Sequence, residues 1–195
     1  LEKFEQDYDH ALATGISLNP VLHSFQLTVS QYGIDDTLVR AFLRSMKADL
    51  VKQEYRTDDE LKEYIYGSAD VVGLMCLRVF VRGNRSLYDA LEAPAMRLGT
   101  AFQKVNFLRD LRSDTHGLGR SYFPGYDEHH FTEASKQALI MEIKSDFDAA
   151  YEGIRRLPEE VGTAVLVAYY YYLELLRKIS RTPADVLISR KIRVS

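Results

Sequence analysis

The sequence has no tryptophan and a single cysteine, Cys76, among its 195 residues. One cysteine excludes an intramolecular disulfide and any metal site built on paired thiolates. It sits in the apolar run "VVGLMCLRVF", where it is expected to be a small buried hydrophobe, and a reducing cytosol suits such a chain. An excess of positive charge is also missing. The net charge is −3, so nothing marks a nucleic-acid binder, and the basic ending "SRKIRVS" is short. No apolar run reaches the ~18–20 residues that a membrane span needs. The longest uncharged stretch, "VGTAVLVAYYYYL", stops at Glu174. No secretory leader is expected from these residues. A cytoplasmic location is expected, with peripheral contact at the inner face of a membrane left open.

What is present is helix signal. The composition, 46% hydrophobic and 27% charged, is that of an ordinary globular domain. "LNPVLHSFQLTVSQYG" offers Asn19 as N-cap, Pro20 at the first helical position and Gly33 as a stop. "DDTLVRAFLRSMKADLVKQ" follows at helical spacing. "TDDELKEYIYGSADVVGLMCLRVFV" opens with Thr57 and Glu60 at capping-box distance and then runs long and apolar. A further helix is expected over "PAMRLGTAFQKVNFLRDLRSD", beginning at Pro94. Two more follow, divided at Pro158, and a short one begins at Pro183. Strand signals, repeats and linkers are absent. The chain reads as one all-α domain over residues 1–195, with six or more helices.

One helix carries an unusual edge. At 100° per residue, Gln103, Asn106, Asp110 and Asp114 fall within ~80° of one another, while Leu98, Phe102, Val105 and Leu108 cover the other sides. Carboxylates four residues apart on a helix repel, so water or a cation should offset them. An amphipathic helix with this edge in water is one reading. The other is a hard cation such as Mg²⁺, which takes oxygen ligands and bridges one or two carboxylates to substrate phosphates. The stripe holds no Lys and no Glu, the usual occupants of a solvated face. Arg109 lies beside it. "HGLGRSYFP" comes next, with Gly117 and Gly119 for tight turns and Arg120 suited to a phosphate. Acids, a metal and arginines at one helix end describe a diphosphate site.

The stretch "RLGTAFQKVNFLRDLRSDTHGLGRSYFP" resembles the second aspartate-rich motif of the squalene/phytoene synthases, with its flanks. "YIYGSADVVGLM" resembles that family's Tyr-x-Tyr-Gly-x-Ala-Gly-x-Val-Gly segment. Order and spacing match, and "GSADVVGLMCL" and "FQKVNFLRDL" resemble the bacterial phytoene synthase branch. The resemblance implies an isoprenoid synthase-type helical bundle around a central cavity. It implies head-to-head joining of two prenyl diphosphates, geranylgeranyl diphosphate to phytoene, through a cyclopropylcarbinyl diphosphate. A squalene-type or C30 synthase and a non-catalytic binding or assembly relative are the alternatives. Carried onto this chain, Asp110 and Asp114 are the Mg²⁺ ligands, and Gln103 and Asn106 line the same face. Arg109 and Arg120 offset phosphate charge. Tyr64 and Tyr172 face the reacting carbons, and Gly73 leaves room for a prenyl chain.

Two departures stand out. The family's first aspartate-rich motif has no counterpart; "DYDH" at 7–10 and Asp35–Asp36 have the wrong spacing. The expectation is that it lies on a part preceding Leu1, and that the 195 residues alone are inactive. Asp70 stands where many members carry Gly; at ~240° from Tyr64 it points away from the reacting face. Other candidates carry less. His129 and His130 are adjacent and cannot share a helix face as HExxH histidines do. His116 is expected in a solvated loop. The tyrosines at 169–172 cover every side of their helix.

Overall fold

The structure, a computed structural model, describes residues 2–52, 54–112, 122–124 and 131–189. The elements assigned among these residues are all helical: α1 (Glu2–Thr14), α2 (Pro20–Tyr32), α3 (Asp36–Ala48), α4 (Asp58–Ile65), a π turn (Tyr66–Asp70), α5 (Val71–Phe80), α6 (Arg85–Arg112), α7 (Glu133–Ile154), α8 (Glu159–Arg181) and α9 (Ala184–Ser189). No described helix is long and apolar enough to cross a membrane.

The ends follow the sequence. Asn19 accepts the amides of Val21 and Leu22 with Pro20 behind it, and Gly33 closes α2 in the left-handed region at φ 62°. Thr57 accepts the Glu60 amide, but the Glu60 carboxylate reaches back one residue further than a capping box requires, to the Arg56 amide at 2.8 Å. At Thr132 the box is complete, with Ser135 as the reciprocal partner. Lys136, fully buried, donates to the carbonyls of Ser180 (3.3 Å) and Thr182 (2.6 Å), supplying charge where the C-terminal end of α8 lacks partners.

The helix expected from Pro94 begins nine residues earlier, at Arg85. Its true N-cap is Asn84, whose side chain accepts the Leu87 amide at 3.0 Å. Pro94 therefore sits inside α6, where it cannot donate to the Ala90 carbonyl one turn back. Arg156 fills the gap, its guanidinium donating to that carbonyl at 3.5 Å. The Pro94 ring packs on α7 at Gly153, where a Cβ would stand 2.2 Å from the Pro94 Cβ.

Two apolar clusters dominate. One joins α4, α6, α7, α8 and α9 through residues such as Leu108, Ile140, Phe147 and Leu176. The other joins α1, α2 and α3 around Tyr8, Leu22 and Leu43. Helix α6 is the axis: packed against α5, α7, α8 and α9, it carries different neighbours on each flank.

Candidate active site

The π turn and α5 run antiparallel to α6 and touch it at two glycines. A Cβ on Gly73 would lie 3.1 Å from the Ala95 carbonyl oxygen, and one on Gly99 would lie 2.9 Å from the Ala69 carbonyl oxygen. Pairing 73 with 95 and 69 with 99 sets the direction. Between these helices, α7 and α8 lies an elongated groove of about 530 Å³. Its walls are apolar for most of their length, including Val72, Leu98, Phe102, Ile154, Val165 and Ala168. Phe80, Leu91 and Leu157 stand at one end, and Ser68, Gln103, Asn106 and Tyr172 at the other.

The polar end is hydrogen-bonded within itself. Gln103 Nε2 donates to Ser68 Oγ at 3.2 Å, and the Tyr172 hydroxyl donates to Asn106 Oδ1 at 3.3 Å. Tyr172 is held by stacking on Phe102, ring centroids 4.0 Å apart. Asp110 lies one turn beyond Asn106 on the same helix edge. Arg109 pairs with the Asp110 carboxylate, Nε at 3.1 Å, and this contact pushes the guanidinium pKa up and keeps it charged.

The structure thus brings Gly73, Gln103, Asn106 and Tyr172 into one groove, with Arg109 and Asp110 past its polar end. Asp114 and Arg120 lie outside the described residues, as do His116, Gly117, Gly119, His129 and His130. Tyr64 stands apart from the groove. It is buried among Tyr55, Tyr122 and Phe107, and its hydroxyl donates to Asp49 Oδ2 at 3.0 Å. Phe107 follows Asn106 by one residue, about 100° round α6, so Tyr64 meets a neighbouring flank of that helix. Burial pushes the Tyr64 phenol well above its ordinary value.

Cys76 corrects an expectation. It is exposed and lines the groove, because it lies on the α5 face that carries Val72 and Gly73 and not on the core face of Val71 and Leu74. The apolar walls around it push the thiol above its usual range.

Sequence reasoning also missed what lies on the opposite flank of α6. There Lys104 Nζ donates to Asp146 Oδ2 at 2.8 Å and Glu142 Oε1 at 2.5 Å, and Arg97 Nη1 donates to Asp146 Oδ1 at 2.8 Å. Thr100 Oγ1 donates to Asp70 Oδ1 at 2.9 Å. Asp70 faces a cleft shared with Arg97, Lys104, Glu142, Asp58 and Lys62, away from the groove. The tell-tale was available: Lys104 interrupts an apolar helix, and a lysine so placed needs a carboxylate.

Burial raises the Asp70 carboxyl to about 6; the Thr100 bond, Lys104 and Arg97 pull it down, and Asp146 opposes them. The folded protein therefore binds this proton more tightly than the unfolded chain, and stability falls as pH rises from ~4 to ~6. Asp70→Asn removes that loss. Its stability relative to the parent should grow across this interval by at most about 3 kcal/mol and then stay level. Urea unfolding at pH 4.5 and 7.5 checks it; a difference that does not change with pH would contradict a raised Asp70.

Residues 1–195 match the family described as squalene/phytoene synthase. The chain is similar to a phytoene synthase of Arthrospira platensis, 30% identical across 97% of this chain and 69% of that one. It is similar to a 15-cis-phytoene synthase of Synechococcus elongatus, 27% identical across 84% and 60%. It also resembles a chloroplastic phytoene synthase 2 of Oryza sativa subsp. japonica, 28% identical across 78% and 42%. In fold it is similar to the crystal structure of squalene synthase HpnC from Alicyclobacillus acidocaldarius, with TM-score 0.79, 19% identity, and 92% of this chain on 72% of that one. A dehydrosqualene synthase in complex with a ligand gives TM-score 0.77, 21% identity, and coverage of 91% and 67%. With a family match that runs from the first residue to the last, on a helical fold those two enzymes share, the chain belongs to the squalene/phytoene synthase family.

Proposed function

We propose that residues 1–195 form one helical domain of an enzyme that joins two prenyl diphosphates head to head, geranylgeranyl diphosphate to phytoene, through a cyclopropylcarbinyl diphosphate. The observation that carries this is the groove: long, apolar, and polar only at the end where Asp110 and Arg109 follow. A prenyl diphosphate has that same division. The groove's length supports a C20 chain. From Leu91 to Asn106, α6 rises ~22 Å, and an extended isoprene unit of four bonded carbons spans ~5 Å. About four units fit.

Among the described residues no group of three His, Cys, Asp or Glu side chains gathers as a metal cage. A half-buried Asp110 at the mouth of a substrate groove fits a different pattern, a Mg²⁺ that completes its shell with diphosphate oxygens and water. Asp110 and Asp114 would hold it, and when bound it supplies charge against the leaving diphosphate. Arg109 adds fixed positive charge at the same end, and Arg120 would offset phosphate charge beside it in sequence. The allylic cation left behind must be kept from water, which the apolar walls do. The Tyr172 and Phe102 rings lie beside the reacting end, where a ring face stabilises a passing cation by ~0.5–2 kcal/mol. Gln103 and Asn106 orient the head of the substrate.

Cys76 reports on the groove without turnover. Alkylation by iodoacetamide, followed by mass spectrometry, should slow severalfold with saturating geranylgeranyl thiolodiphosphate, a non-reacting analogue. Unchanged alkylation in the presence of bound analogue would place the chain elsewhere. Tyr172→Phe keeps the ring stack and loses the bond to Asn106. Steady-state kinetics should show kcat/KM about 10-fold lower with the melting temperature unmoved.

A further inference from the structure

The π turn meets α6 backbone to backbone at Gly99, where a Cβ would stand 2.9 Å from the Ala69 carbonyl oxygen and 3.0 Å from the Asp70 Cα. A hydrogen bond spans the two elements on each side of this contact. On the groove side Gln103 Nε2 donates to Ser68 Oγ at 3.2 Å. On the cleft side Thr100 Oγ1 donates to Asp70 Oδ1 at 2.9 Å. The turn itself is a less favourable form of helix: the Val71 amide reaches back five residues, to the Tyr66 carbonyl. Something outside it must hold it in shape. Asp70 is only 6% exposed, and a buried carboxylate is a costly group to spend on one hydroxyl unless that bond has a task. Charge does make it the stronger acceptor.

We infer that Asp70 is a positioning residue: with Thr100 it latches the π turn to α6 and so sets Ser68 against Gln103 at the polar end of the groove. The latch acts at a distance from substrate, on the cleft side of the Gly99 contact. Its effect on turnover rests on the proposed condensation, whereas its effect on the turn does not.

The experiment has two arms in the full-length polypeptide. Hydrogen exchange of a peptide spanning 66–71 follows the turn, and steady-state kinetics with geranylgeranyl diphosphate and Mg²⁺ follows the site. Thr100→Val and Asp70→Ala should each speed exchange in this peptide, and lower kcat, by about tenfold, with KM changed less than about twofold. Thr100→Ser and Asp70→Asn keep a donor and an acceptor, and should restore both readouts to near the parent. Asp70→Ala/Thr100→Val should be no worse than either alone, because one bond is broken once. Exchange at 66–71 unchanged in Thr100→Val would overturn the latch, as would losses that multiply in the double variant. Should Asp70→Ala fail to fold, the Thr100→Val and Thr100→Ser pair decides. If the parent binds substrate and makes no condensation product, the proposed reaction fails and the exchange arm still decides the latch.

Discussion

Asp110→Asn in the full-length polypeptide is expected to lower turnover by about 10³-fold, since a catalytic cation supplies several kcal/mol of charge stabilisation. The amide keeps the shape of the side chain and one oxygen, but its weak hold on a hard cation leaves the diphosphate uncompensated. The fold should survive. The Asp110 carboxylate is paired with Arg109 in a partly buried position, and the amide can still accept from that guanidinium. The melting temperature should barely move. Asp114→Asn should match it in turnover. Product assays by mass spectrometry beside thermal unfolding check both halves. Near-normal product formation at ordinary Mg²⁺ would remove Asp110 from the site.

Asp146→Asn is expected to do the reverse. Asp146 is 2% exposed and holds both Lys104, itself 8% exposed, and Arg97. Removing its charge leaves the Lys104 ammonium buried with the half-exposed Glu142 as its remaining ion-pair partner among the described residues. Breaking a buried pair by removing one member costs about 3 kcal/mol or more, roughly 6–12 °C of melting temperature for a chain of this size. Because Asp146 ties α7 to α6 on the flank away from the groove and does not hold the π turn, turnover well below the melting temperature should stay close to that of the parent. Thermal unfolding and kinetics on one preparation test the pair of statements. A large loss of activity with unchanged stability would mean that the two flanks of α6 are not separable in this way.

Much of this architecture was legible in the residues. Caps located α2 because Asn19, Pro20 and Gly33 each have one local task, and periodicity located α3. The edge of Gln103, Asn106 and Asp110 stood out because short polar side chains at 3.6-residue spacing have no packing reason to sit on an apolar helix. Three features were hidden for physical reasons. Pro94 carries the same local signal as a first helical residue, and only Arg156 and Gly153, about 60 residues away, explain why it is tolerated inside α6. The π turn has no propensity of its own; it exists because Gly67 and Gly99 let α3 and α6 approach its backbone. Cys76 and Leu77 are equally apolar neighbours. Both line the groove, and which of them is left exposed there is decided by tertiary packing and by no local preference.

The most direct test is product analysis. The full-length polypeptide, given isotopically labelled geranylgeranyl diphosphate and Mg²⁺, should release diphosphate and form a C40 hydrocarbon with the mass of phytoene, identified by chromatography and mass spectrometry. The same incubation with Asp110→Asn should form about 10³-fold less. Geranylgeraniol as the sole product, or unchanged substrate in a protein whose Cys76 is shielded by the thiolodiphosphate, would contradict head-to-head condensation and leave a groove that binds prenyl chains without joining them.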